Sequence, residues 1–149
     1  MAEPEYPTIE AWNTAVRLAA SIGRLKIGSN LRASQEAQDR AFQAAGEAAA
    51  HIAEAATREG QPQVALLREA RGALAAARSW LHVLAALTNE PETVFAQELD
   101  LIDQAGRQVN AFIRATERSA PAASRPGARP AAGAPAARPP APRPPGAPR

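Results

Sequence analysis

From Ala41 to Leu87 the chain is dominated by alanine and leucine, and only one cluster of helix-breaking residues interrupts it, at Glu59-Gly60-Gln61-Pro62. Alanine and leucine are the strongest helix formers, so this stretch predicts two long helices joined by a tight link. Glycine stops a helix and proline opens one. The order Gly60 then Pro62 therefore places a stop before a start, and so short a gap makes the two helices antiparallel neighbours.

The flanking sequence supplies a helix on each side. Ile9, Trp12, Val16, Ala19 and Ile22 recur at steps of three and four, which predicts helix one from about Thr8 to Ile27, stopped by Gly28-Ser29-Asn30. Helix two is entered from Asn30 or Ser34, both good N-caps, and runs to about Arg58. Its inner face is Ala37, Ala41, Ala45, Ala48, Ile52 and Ala55, small side chains that let a neighbouring helix come close. Its outer stripe is Glu36, Arg40, Gln43, Glu47, Glu54 and Arg58, with Glu36–Arg40 and Glu54–Arg58 spaced for ion pairs.

Helix three, about Pro62 to Leu87, carries two apolar stripes. Val64, Leu67, Leu74 and Leu81 form one, and Leu66, Ala73, Trp80 and Leu87, spaced by sevens, form the other. Together they span roughly 200°, more than the ~100° a bundle helix buries. No helix is central in a four-helix bundle, so the second stripe is read as an oligomer interface. Thr88-Asn89-Glu90-Pro91-Glu92 opens helix four, about Pro91 to Arg118, with Phe95, Leu99, Ile102, Val109 and Ile113 facing inward and Arg107, Arg114 and Arg118 near its end. The predicted fold is all-α: an antiparallel up-down-up-down four-helix bundle over residues 8–119, after a short lead at 1–7.

Residues 120–149 hold ten of the fourteen prolines and five arginines (Arg125, Arg129, Arg138, Arg143, Arg149) without an acid. Such a segment cannot bury enough apolar area to offset its ordering entropy, so a disordered tail with polyproline II character is expected. Without it, 12 basic residues face 15 acidic ones, so the net charge of +2 over the whole chain conceals an acidic body. The tail has two readings: a solubilising linker, or a set of cations that contact the phosphates of a nucleic acid. Pro139-Pro140-Ala141-Pro142 also matches a proline-rich peptide ligand for a protein partner. The acidic N-terminal lead is unlike a signal peptide, and Arg78 and His82 interrupt the best candidate for a membrane span. The expected location is the cytoplasm.

Catalytic chemistry finds little support. There is no cysteine, no phosphate loop, and no serine or histidine in a nucleophile context. Glu47, His51 and Glu54 lie at i, i+4 and i+7 and could share a metal with His82, but the Glu-x-x-His motifs of di-iron bundles do not occur. A solvated charged stripe is the better reading, so neither an enzyme, a cofactor nor a metal is expected. Trp12 is read as core.

Trp12, the paired Ala44-Ala45, His51-Ile52-Ala53-Glu54-Ala55 and Ala70-Arg71-Gly72-Ala73-Leu74 together resemble a known pattern. It is that of the bacterial four-helix-bundle family, which includes the proteins encoded in intervening sequences of 23S ribosomal RNA genes and the accessory variability protein of diversity-generating retroelements. Members carry an early tryptophan in helix one, a second helix ending in Asn-Ile-Ala-Glu-Gly, and a third reading Ala-x-Gly-Ser-x-x-Glu. Here His51 replaces the Asn, Ala55 the Gly, Ala73 the Ser and Ala76 the last Glu, and Gln43 stands where a basic residue is common. The resemblance spans about residues 9 to 115. It implies motif residues Trp12, His51, Ile52, Ala53, Glu54 and Gly72, a ring-like homopentamer and no catalytic activity. In the retroelement branch it implies a reverse transcriptase partner and nucleic acid. The expected function is therefore a self-assembling scaffold or adaptor, with a nucleic-acid-binding accessory protein using the arginine tail as the alternative.

Overall fold

A computed structural model describes residues 9–119; the lead and the arginine-rich tail, Arg125 to Arg149 included, lie outside the described residues. Four helices make up the described part, with no strand among them: α1 (Glu10–Gly23), α2 (Arg32–Ala55), α3 (Gly60–Thr88) and α4 (Ala96–Ser119), the last preceded by a 3-10 turn at Glu92–Phe95. Each helix packs against the next and α1 also meets α4, so the four enclose one core. No described helix is long and apolar enough to cross a membrane.

The most extensive of these contacts joins α2 to α3. Its α2 side is the alanine face expected from the sequence: Ala37, Ala41, Ala45, Ala48, Ile52 and Ala55 are all buried, with Ala44 and Ala49 beside them. On α3, Val64, Leu67, Leu74 and Leu81 are buried together with Ala70, Ala73 and Ala77. The small side chains let neighbouring backbones approach and leave the leucines to fill the core. Phe95 in the 3-10 turn and Ile102, Val109 and Ile113 on α4 are buried, and Leu99 is half-buried.

In α1 the buried face matches the predicted one at Ile22 and is otherwise rotated from it. Ala11, Ala15, Leu18 and Ile22 turn inward, whereas Val16 is 39% exposed and Ile9, Trp12 and Ala19 are half-buried. Both sets recur at helical spacing. The predicted stripe, led by Ile9 and Trp12, was the more conspicuous one, but the deepest positions fall to Ala15, Leu18 and Ile22.

The ends of the helices also differ from expectation, and side chains from neighbouring helices account for it. Helix α1 stops at Gly23, not near Gly28, because Gln38 on α2 reaches across and donates to both the Ile22 and Leu25 carbonyls at 2.9 Å. A Cβ at Gly23 would lie 3.2 Å from the Phe42 ring, so the glycine lets α2 pass close to this end. Neither Asn30 nor Ser34 caps α2. The N-cap is Leu31, whose N–H donates to Ser29 Oγ at 3.2 Å, and Ser34 is buried inside the first turn with its Oγ 3.2 Å from that of Ser29. Gly60 adopts φ +63°, the left-handed region that glycine enters without steric cost, and α3 begins there. Asn89, at φ 53°, closes α3, so the cluster read as a start signal for helix four first serves as a stop.

Gln38→Ala removes two bonds that satisfy carbonyls at the end of α1. We expect a loss of about 1–3 kcal/mol, measurable as a lower midpoint in urea with an unchanged slope. An unchanged midpoint would show that water replaces the amide without cost.

Candidate assembly surface

The cations of α3 are all drawn to one side. Arg68 pairs with Glu117 at 3.6 Å, Arg71 donates to Asn110 at 3.1 Å, Arg78 pairs with Asp103, and His82 lies 2.8 Å from Glu92. These partners belong to α4 or the turn before it. As surface pairs they contribute little stability individually. Their consequence is spatial, because they withdraw every basic side chain of α3 toward α4.

The opposite shoulder of α3 faces α2 and carries the stripe predicted as an interface. Ala73 is buried, while Leu66, Trp80 and Leu87 are half-buried and packed against the core. Arg40 of α2 lies over the Trp80 ring, 5.6 Å from its centroid, in the geometry of a cation–π contact. Arg40 also pairs with Glu36 at 3.5 Å. The protomer therefore already shelters much of the apolar surface that the sequence left without cover.

Between the two shoulders lies a face that the apolar pattern did not reveal. Ala65, Glu69, Gly72, Ala76, Ser79, Val83 and Ala86 recur at alternating steps of four and three, and all are exposed. That spacing is the seam of a coiled coil. One residue in the seven is charged. Val83 is 39% exposed, and a Cβ at Gly72 would meet nothing within 4 Å. By contrast, the predicted outer stripe of α2, Glu36, Arg40, Gln43, Glu47, Glu54 and Arg58, is exposed as expected and almost wholly charged. The pairs Glu36–Arg40 and Glu54–Arg58 form at 3.5 and 3.8 Å. The outer face of α2 is thus charged along its length, while that of α3 carries only Glu69.

The remaining family-motif residues are dispersed in role. Ile52 is fully buried, Trp12, His51 and Ala53 are half-buried, and Glu54 is exposed and held by Arg58 on its own helix. Gly72 lies on the outer face of α3. Glu47, His51 and Glu54 stay on α2 while His82 turns to Glu92, so they do not converge on an ion. No group of three or more His, Cys, Asp or Glu among the described residues is placed to hold a metal.

Sequence reasoning passed over one polar residue. Glu98, 3% exposed, accepts a hydrogen bond from the Ser21 hydroxyl at 2.5 Å across the α1–α4 contact. Its register was the available signal: it falls three residues after Phe95 and four before Ile102, on the buried face of α4.

Gly72→Ala separates two environments for the outer face. In an open helix interior the change stabilises the protomer by about 1 kcal/mol, raising the thermal midpoint. If a second copy approaches Gly72 closely, the added methyl weakens association instead. Thermal melts and mass measurements on the same samples read both effects. Compared with known proteins, the chain matches no family model, no curated protein and no solved structure.

Proposed function

We propose that this protein is a non-enzymatic helical-bundle scaffold or adaptor that assembles with copies of itself through the outer face of α3. The carrying observation is the exposed row Ala65, Gly72, Ala76, Ser79, Val83 and Ala86, from which the neighbouring cations are withdrawn. Two helices with small residues at a/d spacing can approach closely, and no charge must be desolvated along most of the seam. Leu66, Trp80 and Leu87, half-buried on the adjoining shoulder, supply larger apolar edges to the same contact. The reading takes the four helices as an up-down-up-down antiparallel bundle. The order of its cross-pairs supports this: rising positions on α3 (Arg71, Arg78, His82) meet falling ones beyond (Asn110, Asp103, Glu92). A homopentamer is the stoichiometry that the resemblance to the 23S-intervening-sequence family implies, and membership of that family is part of the proposal.

The chain has no cysteine, so single thiols report local access without interference. Ser79→Cys and Glu47→Cys place thiols on the outer faces of α3 and α2, both exposed in the protomer. In the assembled protein the thiol at position 79 should react with a water-soluble maleimide at least about ten times more slowly than the one at position 47. Equal rates would refute the proposed face.

A second reading, a nucleic-acid-binding accessory protein, has its own observation. Arg107, Arg114 and Arg118 are exposed on α4 at i, i+7 and i+11, form no salt bridge among the described residues, and lead toward the arginine-rich segment. Five tail arginines on single-stranded RNA would give a slope of log affinity on log salt of about −3.5. Removing residues 120–149 should abolish that binding. Equal binding by the shortened chain, or none by the full chain at low salt, would exclude this reading.

A further inference from the structure

At the junction of α1 with α4, a groove of about 480 Å³ is lined by Arg17, Arg24 and Lys26 on one side and by Gln97 and Glu98 on the other. The three cations are exposed, and none forms a salt bridge among the described residues. Unlike Arg107, Arg114 and Arg118 of α4, which are also exposed and without a salt bridge among the described residues, these three line a concave surface together. Cations that line a concave surface without internal partners focus a positive potential into it.

The opposite wall adds a second, independent constraint. Glu98 is 3% exposed, and Ser21 donates to its Oε1 at 2.5 Å. Its Oε2 has no hydrogen-bond partner, yet is not among the described polar atoms that are both buried and unpaired. Glu98 lines the groove, so its second carboxylate oxygen is an acceptor available to a ligand there. A carboxylate accepts and cannot donate, so its natural complement is a hydroxyl or ammonium group. Three positive charges against one negative leave the groove with a surplus of two, the charge of a phosphate monoester dianion.

We propose that this groove binds a small phosphate monoester bearing a hydroxyl group, its phosphate held by Arg17, Arg24 and Lys26 and its hydroxyl donating to Glu98. Arginine forks suit phosphate oxygens, and charge-assisted hydrogen bonds are the stronger kind. Leu25 and Leu101 offer apolar contact for the carbon chain between the two polar ends. The site is independent of the α3 face, so it stands or falls separately from self-assembly.

The test is isothermal titration of the full chain at low ionic strength with glycerol 3-phosphate, inorganic phosphate, glycerol and a short RNA oligonucleotide. Glycerol 3-phosphate should bind saturably, about ten-fold tighter than inorganic phosphate, with glycerol alone silent. The double variant Arg24→Gln, Lys26→Gln alters only exposed side chains, and should weaken both phosphate ligands at least about ten-fold. Arg143→Gln, outside the groove, should change neither. Glu98→Leu, with an unchanged circular dichroism spectrum, should remove the preference for the ester over phosphate. The proposal is overturned if neither phosphate ligand saturates or if both bind equally. It is also overturned if Arg143→Gln costs as much as the double variant, or if only the RNA binds.

Discussion

If copies of the chain assemble along α3 as proposed, replacing Ala76 or Val83 by arginine should convert the assembly into folded monomers. Both side chains point outward from α3 and neither belongs to the core. The protomer therefore loses little, and circular dichroism and the urea midpoint should move by less than about 0.5 kcal/mol. An arginine in the middle of an apolar seam must be desolvated or must hold the partner helix away. Either outcome costs several kcal/mol and lowers the association constant at least about a hundred-fold. Trp80→Arg would be a poorer probe, since Trp80 lies half-buried under Arg40 and a second cation there would disturb α2 as well. A full-size assembly carrying Ala76→Arg would place the contact elsewhere on the molecule.

Ala45→Leu should have the largest effect on the protomer itself. Ala45 is fully buried in the core on α2, a helix packed against both α1 and α3. Three added carbons have no space unless the helices separate, which costs about 1–3 kcal/mol or more. For a body of this size that lowers the thermal midpoint by about 4–8 °C per kcal/mol. Glu47→Leu, two residues away and exposed, should leave the midpoint nearly unchanged. A similar melt for both variants would mean that the alanine face is loosely packed.

The same contrast explains which parts of the fold were legible in the sequence. Helices α2 and α3 were readable because alanine, leucine and the Gly60–Pro62 break all point the same way, and the buried alanines of α2 match one by one. Helix ends were less readable, since what ends α1 is Gln38, a side chain 13 to 16 positions away from the carbonyls it bonds. No local signal contains that partner. The outward face of α3 was less legible for a related reason. Hydrophobicity ranks leucine and tryptophan above alanine, glycine and serine, so Leu66, Trp80 and Leu87 drew notice. In the folded protomer these three are half-buried against the core, and the bland row from Ala65 to Ala86 is the one that faces outward. Glu98 was overlooked because an acid on a helix reads as solvent-facing unless its register is checked against its apolar neighbours.

The most direct measurement is the molar mass of the full chain in solution, by light scattering across a dilution series. One chain weighs 15.6 kDa. A contact along α3 predicts a mass several times that value at high concentration, about 78 kDa for five copies, falling to one chain's mass with Ala76→Arg. A constant 15.6 kDa up to roughly millimolar concentration, weaker than about −4 kcal/mol of association, would contradict it.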